Sequence, residues 1–241
     1  MENISYAGCC QPAVAVRAEA SHRSEMVSQI LFNETCCVVA MHGEWSRIAV
    51  THDGYEGWVV TAQIKVIDKD TYDEMNARKR YYVDEAVVNN NGLNLTLGTP
   101  LFEPIHAQAA PDVFNADVMI ENAYKLIGSP YLWGGRTLMG IDCSGFVQIC
   151  ARMAGYTLPR DASQQVNCGE TVYFVQEAQP GDLAFFSNEN GAIVHVGIVL
   201  ADEKIIHASG KVRIDSLDNE GIFNRECNKH THHLQVIKRL S

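Results

Sequence analysis

Gly140-Ile141-Asp142-Cys143-Ser144-Gly145-Phe146, GIDCSGF, decides how the second half of the chain is read. An aspartate with N-cap chemistry stands directly before a cysteine. An apolar stripe then follows, Phe146, Cys150 and Met153, and Gly155 closes it. The pattern predicts a helix whose first turn holds Cys143. The free N–H groups and positive dipole at that end favour a thiolate. Alone, the motif leaves three roles open for Cys143: buried structural thiol, metal ligand or nucleophile.

Upstream, Ile120, Ala123, Tyr124 and Ile127 recur at helical spacing, with Gly128 as a stop and Pro130 beyond it. Downstream of Pro180-Gly181 the pattern turns to strands: DLAFFS, HVGIVL, KIIHAS, KVRI and HLQVIKRL. Helices first and an antiparallel sheet after predict an α+β domain over 112–241. A nucleophilic cysteine needs a base, and the base needs an orienter. A hairpin with Leu200-Ala201-Asp202 as its loop sets His195 directly opposite His207 on one face. One imidazole can then take the thiol proton while the other fixes its tautomer.

Charge and cysteine usage narrow the function. The 241-residue chain is 46% hydrophobic and 20% charged, with a formal net charge of −10. That balance argues against a nucleic-acid partner. No apolar run approaches the ~20 residues of a membrane helix. The start, MENISYAGCCQPAVAV, lacks a basic region and a continuous apolar region, so a cytoplasmic location and no membrane partner are expected. Eight cysteines occur without a C-x-x-C, which points to reduced thiols rather than disulfides or zinc. His230, His232 and His233 read as a surface strand end, and no metal or cofactor is expected.

Residues 1–67 predict a small all-β barrel from five strands, VAVRAE, QILF, CCVVAMH, WSRIAV and GWVV, with a hairpin signal at Asp53-Gly54. This order resembles a bacterial SH3-like domain, with Arg17 after the first strand and Gly57-Trp58 at the last hairpin. Residues 68–111 read as an extension: a charged, briefly helical stretch, a hairpin around Asn91-Gly92, and a linker at Ala107–Pro111.

The series WGG, DCSGF, PGDLAFF, HVGIV and a further His resembles the NlpC-type family of papain-like cell-wall cysteine peptidases, from about Asp112 onward. The resemblance implies Cys143 as nucleophile, His195 as general base and acid, His207 as orienter, and Tyr131 at the oxyanion. A subgroup with an SH3-like domain in front resembles dipeptidyl-peptidase VI enzymes. Those release L-Ala-γ-D-Glu from free stem peptides and require a free N-terminal amine. Asp142, Glu25 and Tyr55 are the implied amine contacts, and Ser144 lines the pocket. Asp161 sits at the family's acidic loop position, followed by Ala162 where the subgroup often has serine, with Ser163 one step on. The implied partner is a peptidoglycan stem peptide, in murein recycling. A secreted hydrolase of intact murein, a non-catalytic wall-binding module and an acyl transferase are the alternatives. Oligomeric state is not legible.

Overall fold

Tight turns set the first half of the chain. The computed structural model describes residues 5–241; Met1–Ile4, the start of the segment read as lacking a leader, lie outside them. Two compact units result. The first takes Met1–Ala110 and, from further along, Trp133–Leu138; the second takes Pro111–Leu132 and Met139–Ser241.

In the first unit, β1 (Ser5–Cys9), β2 (Ala13–Arg17), β3 (Met26–Leu31), β4 (Thr35–His42), β5 (Trp45–Val50), β6 (Glu56–Val60) and β7 (Ile64–Ile67) form one sheet ordered β3-β2-β6-β5-β4-β1-β7. Alternation sends Val14, Val16, Ile30, Val38, Ile48 and Val59 to one apolar core. Strands β2 to β6 follow the five expected ones. Strand β1 is an addition, and its inward residues are the small Ala7 and Cys9, which carry little hydrophobic signal.

The extension builds onto the same unit. Asp68 caps α1 (Lys69–Ala77), its carboxylate accepting from the Thr71 N–H at 2.7 Å. Strand β8 (Tyr81–Val83) precedes a hairpin of β9 (Val87–Asn90) and β10 (Leu93–Thr96). The hairpin turns on Asn91 and Gly92, with φ of 51° and 86°. Two successive positive φ values are what a two-residue type I′ turn requires. Strands β11 (Pro100–Leu101) and β12 (Ala107–Ala109) flank β8. The stretch expected as a linker is therefore partly strand: Ala107 pairs with Val83 and Ala109 with Tyr81. Ladder hydrogen bonds, not side-chain bulk, hold that small-residue segment in place.

A buried ion cluster fixes Trp133–Leu138 in this unit, including β13 (Arg136–Thr137). The Arg136 guanidinium donates to Glu34 at 2.9 and 3.1 Å and to the Gln29 carbonyl at 2.7 Å. Both charged side chains are 1% exposed or less. The His52 ring lies 3.1 Å from the same guanidinium.

The second unit opens with α2 (Ala116–Lys125), whose N-cap Asn115 accepts from the N–H groups of Asp117 and Val118. The inward stripe differs from the expected one. Met119, Asn122, Ala123 and Leu126 are buried, while Tyr124 and Ile127 stay exposed. Asn122 tolerates burial because its side-chain N–H donates to the Val118 carbonyl at 2.8 Å. After β14 (Gly140–Ile141) come α3 (Cys143–Met153), buried along its whole length, and the short α4 (Ala162–Gln165).

Seven antiparallel strands follow: β15 (Glu170–Val172), β16 (Leu183–Ser187), β17 (Ile193–Leu200), β18 (Lys204–Ser209), β19 (Lys211–Leu217), β20 (Gly221–Asn224) and β21 (Lys229–Arg239). β20 also pairs with the first half of β21, so β16 to β21 close into a six-stranded barrel. Helix α3 packs on β17 and β18. The opposite face of those strands lines the barrel, filled at its core by Ala184, Phe186, Val199, Ile205, Leu217, Ile222 and Ile237.

Candidate active site

Asp142 starts α3 in extended conformation and accepts from the Gly145 N–H at 2.7 Å, so Cys143 is the first helical residue. The carboxylate also pairs with Arg160, Nη1 to Oδ1 at 3.0 Å and Nη2 to Oδ2 at 2.6 Å. Arg160 donates further to Ser144 Oγ at 2.8 Å, and Ser144 is bonded to Asp142 at 3.3 Å. The sequence reading gave Asp142 to a substrate amine. Its charge is already balanced inside the protein by Arg160, which the sequence does not single out. Arg160 directly precedes Asp161, the residue at the family's acidic loop position. Asp161 itself caps α4, its backbone N–H meeting the Gln164 side chain. Ser163 is exposed on that short helix. Glu25 and Tyr55 lie in the first unit: Glu25 is exposed, and Tyr55 is half-buried after the Asp53-Gly54 turn.

The histidine register differs from the expected one by one residue in the loop. Leu200 pairs with Lys204, and His207 pairs with Gly197 rather than with His195. Asp202 and Glu203 take the left-handed conformation, with φ of 58° and 53°, and so form the turn one residue later. That keeps Leu200 in the strand and buried instead of at a solvent-facing loop tip. Both histidines still face the barrel interior, because the shift preserves strand parity. They meet diagonally, His195 Nε2 and His207 Nδ1 lying 2.9 Å apart. Gly197 makes this possible: a Cβ there would come within 2.8 Å of the His207 Cβ.

The polar line continues beyond the residues named from sequence. His207 Nε2 lies 3.1 Å from Asp215 Oδ2. Arg213 grips that carboxylate through Nε at 2.8 Å and Nη2 at 3.0 Å, and reaches Glu226 with Nη1 at 2.8 Å. His232 was expected at a surface strand end. It is half-buried and stacks on His195 with ring centroids 4.2 Å apart. His230 does not share that position. A bulge between Ile222 and Phe223 separates the two, and His230 pairs with Asp218 and Glu220. Period-two alternation fails at a bulge, so residues two apart need not share a face here.

Cys143 sits against β17, with the Val196 and Ser144 backbone N–H groups directed at its sulfur. Burial, reinforced by the Asp142 charge, nevertheless pushes the thiol up to about 12. The thiolate expected from the helix start is thus outweighed by desolvation. Burial also holds His195 well below its ordinary value, with His207 and His232 adding to the effect. His232 is lowered to about 4, chiefly by burial. Thiol and imidazole are therefore each neutral at neutral pH. Tyr131, pushed up to about 12 by burial and by Cys143 and Asp142, keeps its phenol proton as a donor. Its backbone N–H donates to the Gly210 carbonyl at 3.0 Å. A cleft of about 260 Å³ is lined by Tyr131, His195 and His232 together with Val194, Ala208 and Ser209.

Residues 128–231 match the NlpC/P60 family, and residues 16–64 match the bacterial dipeptidyl-peptidase Sh3 domain. The chain is 29% identical over 234 residues to the gamma-D-glutamyl-L-lysine dipeptidyl-peptidase of Bacillus subtilis (strain 168), covering 83% of this chain and 78% of that protein. The like-named protein of Bacillus cereus (strain ATCC 10987 / NRS 248) is 35% identical over 111 residues, 44% of this chain and 33% of the relative. A crystal structure of an NlpC/P60 family protein from Bacillus cereus ATCC 10987 superposes with a TM-score of 0.81 at 20% identity, covering 98% of this chain and 99% of that one. At that identity the likeness speaks for the fold alone.

Proposed function

The chain carries an NlpC/P60 domain of papain-like α+β fold behind a bacterial dipeptidyl-peptidase SH3 domain, and from that premise we propose a cysteine peptidase acting on peptidoglycan peptides. Its bond is the γ-D-glutamyl–diamino acid linkage of freed stem peptides, and its product is L-Ala-γ-D-Glu, in murein peptide recycling. The relatives' activity, as their names give it, supports the bond. One observation carries the chemistry: a buried thiol at a helix start, against the strand of an imidazole whose far nitrogen is already bound to a second imidazole.

The steps follow from the neutral resting pair. His195 Nδ1 takes the Cys143 proton as Sγ attacks the D-glutamyl γ-carbonyl. The Cys143 N–H, unpartnered within a first helical turn, and the Tyr131 hydroxyl stabilise the oxyanion. The imidazolium returns its proton to the leaving α-amine of the diamino acid. Water, activated by the same His195, then hydrolyses the thioester and frees the dipeptide.

Turnover of L-Ala-γ-D-Glu-L-Lys and of L-Ala-γ-D-Glu-meso-diaminopimelate, beside N-acetylated controls and whole sacculi, tests the reading. Release of L-Ala-γ-D-Glu from the free-amine peptides alone is the expected result. Equal cleavage of sacculi would move the substrate to intact murein, and no cleavage of any of them would overturn the reading.

A further inference from the structure

We propose that Asp215 sets the proton order along the two imidazoles, and so leaves Nδ1 of His195 open as the base. This rests on the reading of Cys143 and His195 as the reacting pair. Asp215 touches no substrate in this account; it is a positioning residue acting through His207.

The argument is one of donors and acceptors. Asp215 is 6% exposed, His207 1% and His195 5%, so water does not supply missing partners. Arg213 neutralises Asp215 from its own strand, donating from Nη2 to Oδ1 at 3.0 Å with Nε 2.8 Å from Oδ2 in the ion pair, while Nη1 reaches Glu226 and Nη2 also meets Asn224. The Asp215 carboxyl is held below its ordinary range by its bonds to His207 and Arg213, against the opposing effect of burial. An ionised carboxylate only accepts. The His207 Nε2 facing it at 3.1 Å must therefore carry the hydrogen. In a neutral imidazole the other nitrogen is then a bare acceptor. That nitrogen, Nδ1, lies 2.9 Å from His195 Nε2, so His195 Nε2 is the donor of that bond. A neutral His195 protonated on Nε2 has its lone pair on Nδ1. Asp215 takes up no proton at any step; it holds the order in which the others sit.

The topology is built for this relay. His195 meets His207 one diagonal step across β17 and β18. Asp215, paired with Ile205, lies one further diagonal step across β18 and β19. His232 covers the open side of His195 from β21, and Phe186 flanks it from β16. Among the described residues, Asp215 is the one charged group bonded to either imidazole.

Asp215→Ala in the full chain is the test, read three ways. Long-range ¹H–¹⁵N spectra of ¹⁵N-histidine protein report the tautomers. Mass-resolved alkylation of the Cys143 peptide by iodoacetamide across pH reports the base without any peptide substrate. Steady-state turnover of the stem peptide separates kcat from KM. The parent should show Nε2–H on both His195 and His207. Asp215→Ala should lose that uniform order, with kcat down about 100-fold and KM unchanged, less than the ~10⁴-fold of an aspartate bonded directly to the catalytic base. Asp215→Asn, keeping an acceptor oxygen, should recover at least tenfold of the loss. Should Asp215→Ala unfold because Arg213 is left uncompensated, Arg213→Met with Asp215→Leu removes both charges and faces the same readouts. Parent tautomers, alkylation profile and kcat in the variant would overturn the proposal. If the parent fails to cleave stem peptides, the substrate reading falls, while the spectra and the alkylation still judge Asp215.

Discussion

The two barrels of this protein are filled differently. The first is filled mostly by apolar side chains, from Ala7 and Val14 to Ile48 and Ile64, with hydroxyls such as Ser28 and Ser46 among them. The second is apolar in part of its interior and carries His195, His207, His232, Arg213 and Asp215 in the rest. A buried polar group costs free energy unless every donor meets an acceptor. The second barrel lowers that cost with a continuous line of partners, His195 to His207 to Asp215, ending on a charged pair. Where a barrel interior holds such a line instead of methyl groups, stability gives way to chemistry. The first barrel keeps its ions out of that core, in the separate Glu34–Arg136 cluster.

Substitutions should break the two barrels in opposite ways. The largest effect is expected from His195→Ala: kcat lower by about 10³- to 10⁴-fold, with the melting temperature nearly kept. Stem-peptide turnover and calorimetry check it, and more than a tenth of parent activity would contradict it. Ile48→Ala in the first barrel should cost about 2–5 kcal/mol of stability and leave the chemical step alone. Urea unfolding next to kcat measures that split.

Protonation sharpens the same contrast. His195 and His232 sit below their unfolded values near 6.5 when folded, so the unfolded chain binds protons first on acidification. The stability they contribute is full above about pH 6.5 and falls as pH drops towards their folded values, His232 near 4. Asp215, lowered in the folded state, loses its contribution in the same direction at more acid pH. Melting of the parent between pH 7 and 4.5 should show this decline, and His232→Phe should flatten it. A parent melting temperature independent of pH over that range would refute the buried neutral imidazoles. The smallest effect is expected from His232→Phe on turnover, within about tenfold of parent, because a neutral ring still covers His195.

Legibility follows the same divide. Asn91-Gly92 announced its hairpin because only a few residues accept two positive φ values, and the turn stands where that chemistry put it. The helix at Cys143 was legible from Asp142 and the apolar stripe after it. The two histidines shared a face as expected, but their partner residues did not come out of the pattern. Two left-handed residues at Asp202 and Glu203 moved the turn, and a glutamate gives no signal for that conformation. Asp215 needed a second register, across β18 and β19, that a single strand pattern cannot supply. His232 was hidden by a bulge, and Arg160 by lying in a loop whose fold depends on the buried Asp142. Strand β1 was silent because Ala7 and Gly8 mark no period.

The central claim is that Cys143 attacks from a neutral pair with His195. Hydrolysis of L-Ala-γ-D-Glu-L-Lys by the parent and by Cys143→Ala, with alkylation of the parent Cys143 followed from pH 5 to 10, tests it most directly. The account predicts no turnover by the folded variant and an alkylation rate that climbs steadily with pH. Turnover by Cys143→Ala at the parent rate, or a flat alkylation plateau across acid and neutral pH, would contradict it.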